Sequence, residues 1–166
     1  MRCWLILLVG AIGIPAITAG EIQHSKSHDA EQARLLSEEK LERAAAALDA
    51  CCQRMLELQA AIHRGTQKLH RIIESHPDKK PRPEDEQAAL KLSEISKESV
   101  KEIAKALDIV TETSALAFPQ IFELVRDDME RVQRRLEMND VGTATQNLEL
   151  DIIDTLREMI KALKKG

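Results

Sequence analysis

Between residues 29 and 75 the apolar positions recur every seven residues with no proline among them. Leu41, Leu48, Met55, Ile62 and Leu69 form one unbroken row, and a companion row three residues further on runs through Ala44, Cys51, Leu58, Gly65 and Ile72. Rows at this spacing share one side of a helix, so the pattern predicts a long amphipathic helix with a seam for helix–helix contact, as in a coiled coil. The companion row is weak. Its alanine and glycine let another helix approach closely but bury little, at roughly 25 cal/mol per Å² of apolar area.

Pro77, Pro81 and Pro83 then fall among charged residues at positions 76–85. Proline lacks the amide donor and clashes with the preceding turn, so this stretch predicts the turn of a hairpin. A second helix from about Glu84 carries Ala88, Leu92, Ile95, Ser99, Ile103, Ala106, Val110 and Leu116 as its inner face. Phe118-Pro119 marks a boundary at which the proline opens a third helix, with Ile121, Val125, Met129, Val132 and Leu136 on one side. Asn139-Asp140-Val141-Gly142 is its stop signal. Thr143 and Gln146 fit a capping box for a fourth helix, whose inner face is Leu148, Ile152, Leu156, Ile160 and Leu163. At 1.5 Å per residue the first helix is about 70 Å long and the last two about 30 Å each. The expected fold is all-α: an elongated antiparallel helical hairpin or coiled coil over residues 31–117, with a short C-terminal helical hairpin over 118–166.

The beginning of the chain adds a location. Arg2, a short apolar run broken by Gly10, Gly13 and Pro15, and small residues at Thr18-Ala19-Gly20 read as a secretory signal peptide over residues 1–20, followed by a polar segment over 21–30. The run is shorter than the ~20 apolar residues a spanning helix needs, so no stable membrane span is expected after cleavage at or near Gly20. The expected location is the periplasm or the exterior.

Composition narrows the chemistry. The chain of 166 residues has 24 basic and 28 acidic residues; without Arg2 the balance is 23 against 28, a formal charge of -5. A net acidic chain whose only aromatics beyond the leader are Phe118 and Phe122 offers neither a phosphate-binding face nor base-stacking platforms, which argues against nucleic acid. Gly65, Gly142 and Gly166 are too scattered to form a phosphate-cradling loop.

The motifs RMLELQ and GTQKL in the first helix, LSEISKE in the second, and AFPQIFELVRDDMERVQRRL, DVGTATQ and DIIDTLREMIKALKK at the end span about residues 54–165. In their order and spacing the chain resembles a group of uncharacterised, largely helical coiled-coil proteins of the bacterial envelope. The resemblance implies an all-α fold and an envelope location, and no activity.

Reactive side chains are few. Cys51 and Cys52 are the only cysteines after the leader. Neighbours on a helix point about 100° apart, so a bond between them would distort the backbone, whereas each could meet its counterpart in a second chain as an intermolecular disulfide. Read plainly, both are small buried apolar residues. His24 and His28 have i, i+4 spacing but no distant ligand to complete a metal set. His63 and His70 are seven apart, about 10 Å along a helix, and read as a solvated flank. Asp127 and Asp128, with Glu149, Asp151 and Asp154, read as solvated charge, with Arg126, Arg131 or Arg157 available for cross-helix contacts. No C-x-x-C-H for haem attachment is present.

These observations lead to a non-catalytic interaction or scaffold protein with no metal and no cofactor. Its expected partners are other proteins, a second copy of the chain among them, met through the Leu41–Leu69 row. On that expectation Met55→Lys turns a dimer into a monomer. The rival readings are a helical bundle that senses or carries a metal or haem, and a chaperone-like hairpin.

Overall fold

The structure, a computed structural model, describes the backbone of residues 19–113 and 119–165 and the side chains of residues 31–113 and 119–165. Four helices account for it: α1 (Ala19–Ser75), α2 (Pro83–Thr113), α3 (Pro119–Glu137) and α4 (Thr143–Leu163), with no strand among the described residues. The fold is all-α. The chain divides into two units, residues 1–38 and 39–166. In the first, residues 1–18 of the expected leader, and the side chains of His24 and His28, lie outside the described residues. Side chains 31–38 are all exposed.

In the second unit the helices alternate in direction. Arg54 meets Glu102, Gln59 meets Ser99, Gly65 abuts Leu92 and His76 lies by Asp85, so α1 and α2 run antiparallel from the proline turn. Ser99 and Ser96 reach Met129, and Lys97 reaches Glu137, which sets α3 antiparallel to α2. Arg135 holds Thr145 across the next turn, and Glu149 of α4 then bonds back to Thr66 and His63 of α1. The two antiparallel hairpins expected from the pattern, α1–α2 and α3–α4, share a single core that draws side chains from every helix, so this unit is a four-helix bundle.

The buried row of α1 differs from the expected one in an informative way. Leu48, Cys52, Met55, Gln59, Ile62, Thr66, Leu69 and Ile73 are buried, in alternating steps of four and three. The companion to the Leu48–Leu69 row therefore sits four residues on, not three. Cys51, Leu58 and Gly65 are only half-buried, and Ile72 is exposed. Cys52, not Cys51, is the core cysteine. Leu41, the first of the predicted contact residues, is 37% exposed, while Leu48, Met55, Ile62 and Leu69 are covered by the chain's own helices.

On α2 the buried line is Ala89, Ser93, Ser96, Ser99, Ile103, Ala106 and Val110; in its first half this is one residue on from the predicted Ala88, Leu92 and Ile95. Small residues there let the neighbouring helices come close. Leu92 instead lies over Gly65, where any side chain would run into it. The inner line of α3 is as predicted from Val125 to Leu136, with Phe122 rather than Ile121 at its head.

Local signals fix the ends. Pro83 opens α2, and the Asp85 carboxylate accepts the Arg82 amide at 2.9 Å, half of a capping box. Asn139, in the left-handed region at φ 59, ends α3. The Asp140 amide donates to the Arg135 carbonyl and the Asn139 amide to that of Leu136, a Schellman closure. The predicted Thr143–Gln146 box does not form. Gly142 is the N-cap, Gln146 Nε2 donates to the Val141 carbonyl, and the Thr145 hydroxyl donates to the Asp140 carbonyl.

Because Met55 has no exposed surface, Met55→Lys buries an unpaired charge and should cost more than about 4 kcal/mol in urea unfolding. Leu36→Lys, at a 53% exposed position, should change stability by no more than about 0.5 kcal/mol. The Met55 substitution thus tests the core and not an outer contact.

Candidate functional site

The most unusual chemistry in the bundle is a carboxylate at its centre. Glu149 lies on α4 between Thr145 and Ile152, on the face that turns to the core, and has no exposed surface. Thr66 Oγ1 donates to Glu149 Oε1 at 2.7 Å, and His63 Nδ1 pairs with Oε2 at 2.9 Å. Thr66 and His63 are three residues apart on α1, so they lie side by side on one face and present a donor to each carboxylate oxygen. Thr66 Oγ1 also lies 3.0 Å from the Ile62 carbonyl, and its single proton can serve only one of these acceptors at a time. Burial pushes the Glu149 carboxyl above the ordinary carboxylate range, while the bonds from Thr66 and His63 and the charge of His63 pull it back.

Sequence reasoning placed Glu149 on a solvated face and His63 on a solvated flank. Both are corrected: the His63 side chain is 12% exposed and faces Glu149. One signal was available. Glu149 follows Thr145 by four residues and precedes Ile152 and Leu156 by three and seven, which is the helical spacing of the inner face.

Two further polar groups flank this centre. Gln59 Nε2 donates to Ser99 Oγ at 3.1 Å, Ser99 donates to Met129 Sδ, and Gln59 Oε1 is buried with no partner. At the α3–α4 turn, Arg135 Nε donates to Thr145 Oγ1 at 2.8 Å and its Nη2 pairs with Asp140 Oδ2 at 2.7 Å, so one guanidinium pins the start of α4 to the end of α3.

The cysteines are not activated. Burial, then Cys51 and Asp49, push the Cys52 thiol up to about 12. Burial and Glu102 raise that of Cys51 against the opposing effect of Lys105. Both are therefore protonated near neutrality, and neither is a ready nucleophile. The acidic residues of α3 and α4 are not gathered into a site either. Asp127 pairs with Arg126, Asp128 with Arg131 and Asp154 with Arg157, each within its own helix and not across helices as predicted. Among the described residues no group of three or more His, Cys, Asp or Glu side chains is placed to hold a metal, and no helix is long and apolar enough to cross a membrane.

No family model, curated protein or solved structure matches the chain.

Two substitutions separate the roles of the buried polar groups. Thr66→Val removes a donor from the buried carboxyl and should cost about 1–3 kcal/mol in denaturant unfolding, with Thr66→Ser restoring most of it. Gln59→Met removes a buried oxygen that has no partner, and should leave stability unchanged or raise it by up to about 1 kcal/mol.

Proposed function

We propose that the protein is a non-catalytic helical interaction or scaffold protein of the bacterial envelope, secreted or periplasmic, that works through the outer surface of α1. The observation that carries this reading is a run of exposed side chains on α1. All side chains from residue 31 to 43 are exposed, Leu35 and Leu36 at 56% and 53% among them, whereas Leu48, Met55, Ile62 and Leu69 further along the same helix are consumed by the core. The signal-like sequence of residues 1–20, with Arg2, a short apolar run and small residues at its end, supports the location. The raised thiols and the helix-internal pairing of the carboxylates support a surface role over a catalytic one.

The contact residue of the original row that keeps its exposure is Leu41. A second copy of the chain is the partner tested first, because light scattering of the pure protein reads it directly. Leu41→Lys should shift a dimer toward monomer, and at dilutions where the wild type is itself monomeric the two should share one unfolding midpoint. A species that is monomeric at high micromolar concentration with or without the substitution sets self-association aside. In that case, in-cell crosslinking of wild type and of Leu35→Lys/Leu36→Lys should show specific proteins captured by the first and lost from the second; identical captures would refute a role for this face. Intact-mass measurement on envelope material checks the location, and a chain that retains Met1 would contradict it.

A further inference from the structure

We propose that the joint between α4 and α1 is a proton-controlled latch, closed when the Glu149–His63–Thr66 cluster holds an additional proton and loosened when it gives that proton up. The geometry supports both states. With Glu149 ionised, Thr66 Oγ1 donates to Oε1 at 2.7 Å and His63 Nδ1–H donates to Oε2 at 2.9 Å, leaving a negative charge in a site with no exposed surface. With Glu149 protonated on Oε1, its own O–H donates to Thr66 Oγ1, the Thr66 proton turns to the Ile62 carbonyl 3.0 Å away, and His63 Nδ1–H goes on donating to Oε2. No donor or acceptor is stranded by the exchange, so the cluster can change charge without first rebuilding the core.

The surroundings leave the control to this cluster. From α1 the titratable group facing Glu149 is His63. From α3 the neighbouring charge, Arg135, is already committed to Thr145 and Asp140. α2 turns the hydroxyls of Ser96 and Ser99 inward, and its buried Glu102 is engaged with Arg54 and Lys105. Ile62 and Leu69 on α1 and Ile152 and Leu156 on α4 are core residues of the same two helices, so loosening of the joint acts on apolar as well as polar packing.

The sign follows from linkage. The folded-state value for Glu149 is raised by burial above the ordinary 4.5. The folded chain therefore keeps a proton that the unfolded chain loses at 4.5, and stability is fully present below that pH and declines as pH rises through the folded value. Each pH unit in that window changes the unfolding equilibrium by up to tenfold.

The test is amide hydrogen exchange on the full chain at several pH values from 4 upward, corrected for the intrinsic rate, with Glu149→Gln alongside. In wild type the protection of α4 should fall relative to that of α2 and α3 as pH rises. In Glu149→Gln, whose amide can bond to both partners without ionising, the ratio should stay flat. Thr66→Val removes a donor that favours the ionised form, and should move the wild-type transition to higher pH. A ratio in wild type that does not change with pH, or one that changes equally in Glu149→Gln, overturns the latch. If the glutamine variant does not fold, an unmoved transition in Thr66→Val does the same.

Discussion

Taking the Glu149 carboxyl out of water is the constraint to which the bundle is built. A buried, unpaired carboxylate costs several kcal/mol, so α4 can rest against α1 only where donors wait for both oxygens. Those donors are Thr66 and His63, one turn apart on α1. A slide of α4 by a single helical turn, about 5.4 Å, would carry Glu149 past both of them. Apolar rows repeat along a helix and tolerate such slides far better. Register is therefore set by three polar side chains, and Ile62, Leu69, Ile152 and Leu156 fill the space that the register defines.

The same logic runs through the other joints with weaker chemistry. Gln59 and Ser99 mark the level at which α1 meets α2, and Met129 of α3 takes contacts from Ser96 and Ser99. The α2 line of alanines and serines lets its neighbours approach, with little apolar area of its own to contribute. Larger side chains from α1 and α3 supply the bulk: Leu48, Met55 and Ile62 on one side, Met129, Val132 and Leu136 on the other.

This division of labour explains what could be read from the chain alone. The helices, the proline turn and the Asn139 stop were legible because each rests on a local rule: proline lacks a donor, and asparagine tolerates a left-handed backbone. The line of α3 was legible because its core positions are apolar almost throughout. On α1 a search for apolar residues selected Ala44, Cys51, Leu58, Gly65 and Ile72 in place of Cys52, Gln59, Thr66 and Ile73. Two members of the true row are polar, and a polar residue is admitted to a core only when another helix supplies its partner. Ser99 and Glu149 lie 40 and 83 positions away from their partners Gln59 and Thr66, and no local pattern links them. The exposure assigned to His63 and Glu149 failed for the same reason.

The surface charges show where the fold is not held. Lys101–Glu98, Arg157–Asp154 and Lys161–Glu158 lie three residues apart on a single helix and support helices one at a time, while Lys97–Glu137 and Arg54–Glu102 cross between helices at the surface. Exposed pairs of this kind contribute about 0–1 kcal/mol each. What joins the helices is consequently a short set of buried groups, and these are unequal. The α1–α2 joint carries Gln59–Ser99 together with the Arg54–Glu102 and His76–Asp85 pairs, and the α2–α3 joint carries Ser96, Ser99 and Lys97–Glu137. α4 is pinned at its start by Arg135 through Thr145 and held to α1 by Glu149, the buried carboxyl whose proton affinity is raised by its surroundings. Of the four helices, α4 is therefore the one whose seat on α1 runs through a fully buried carboxyl.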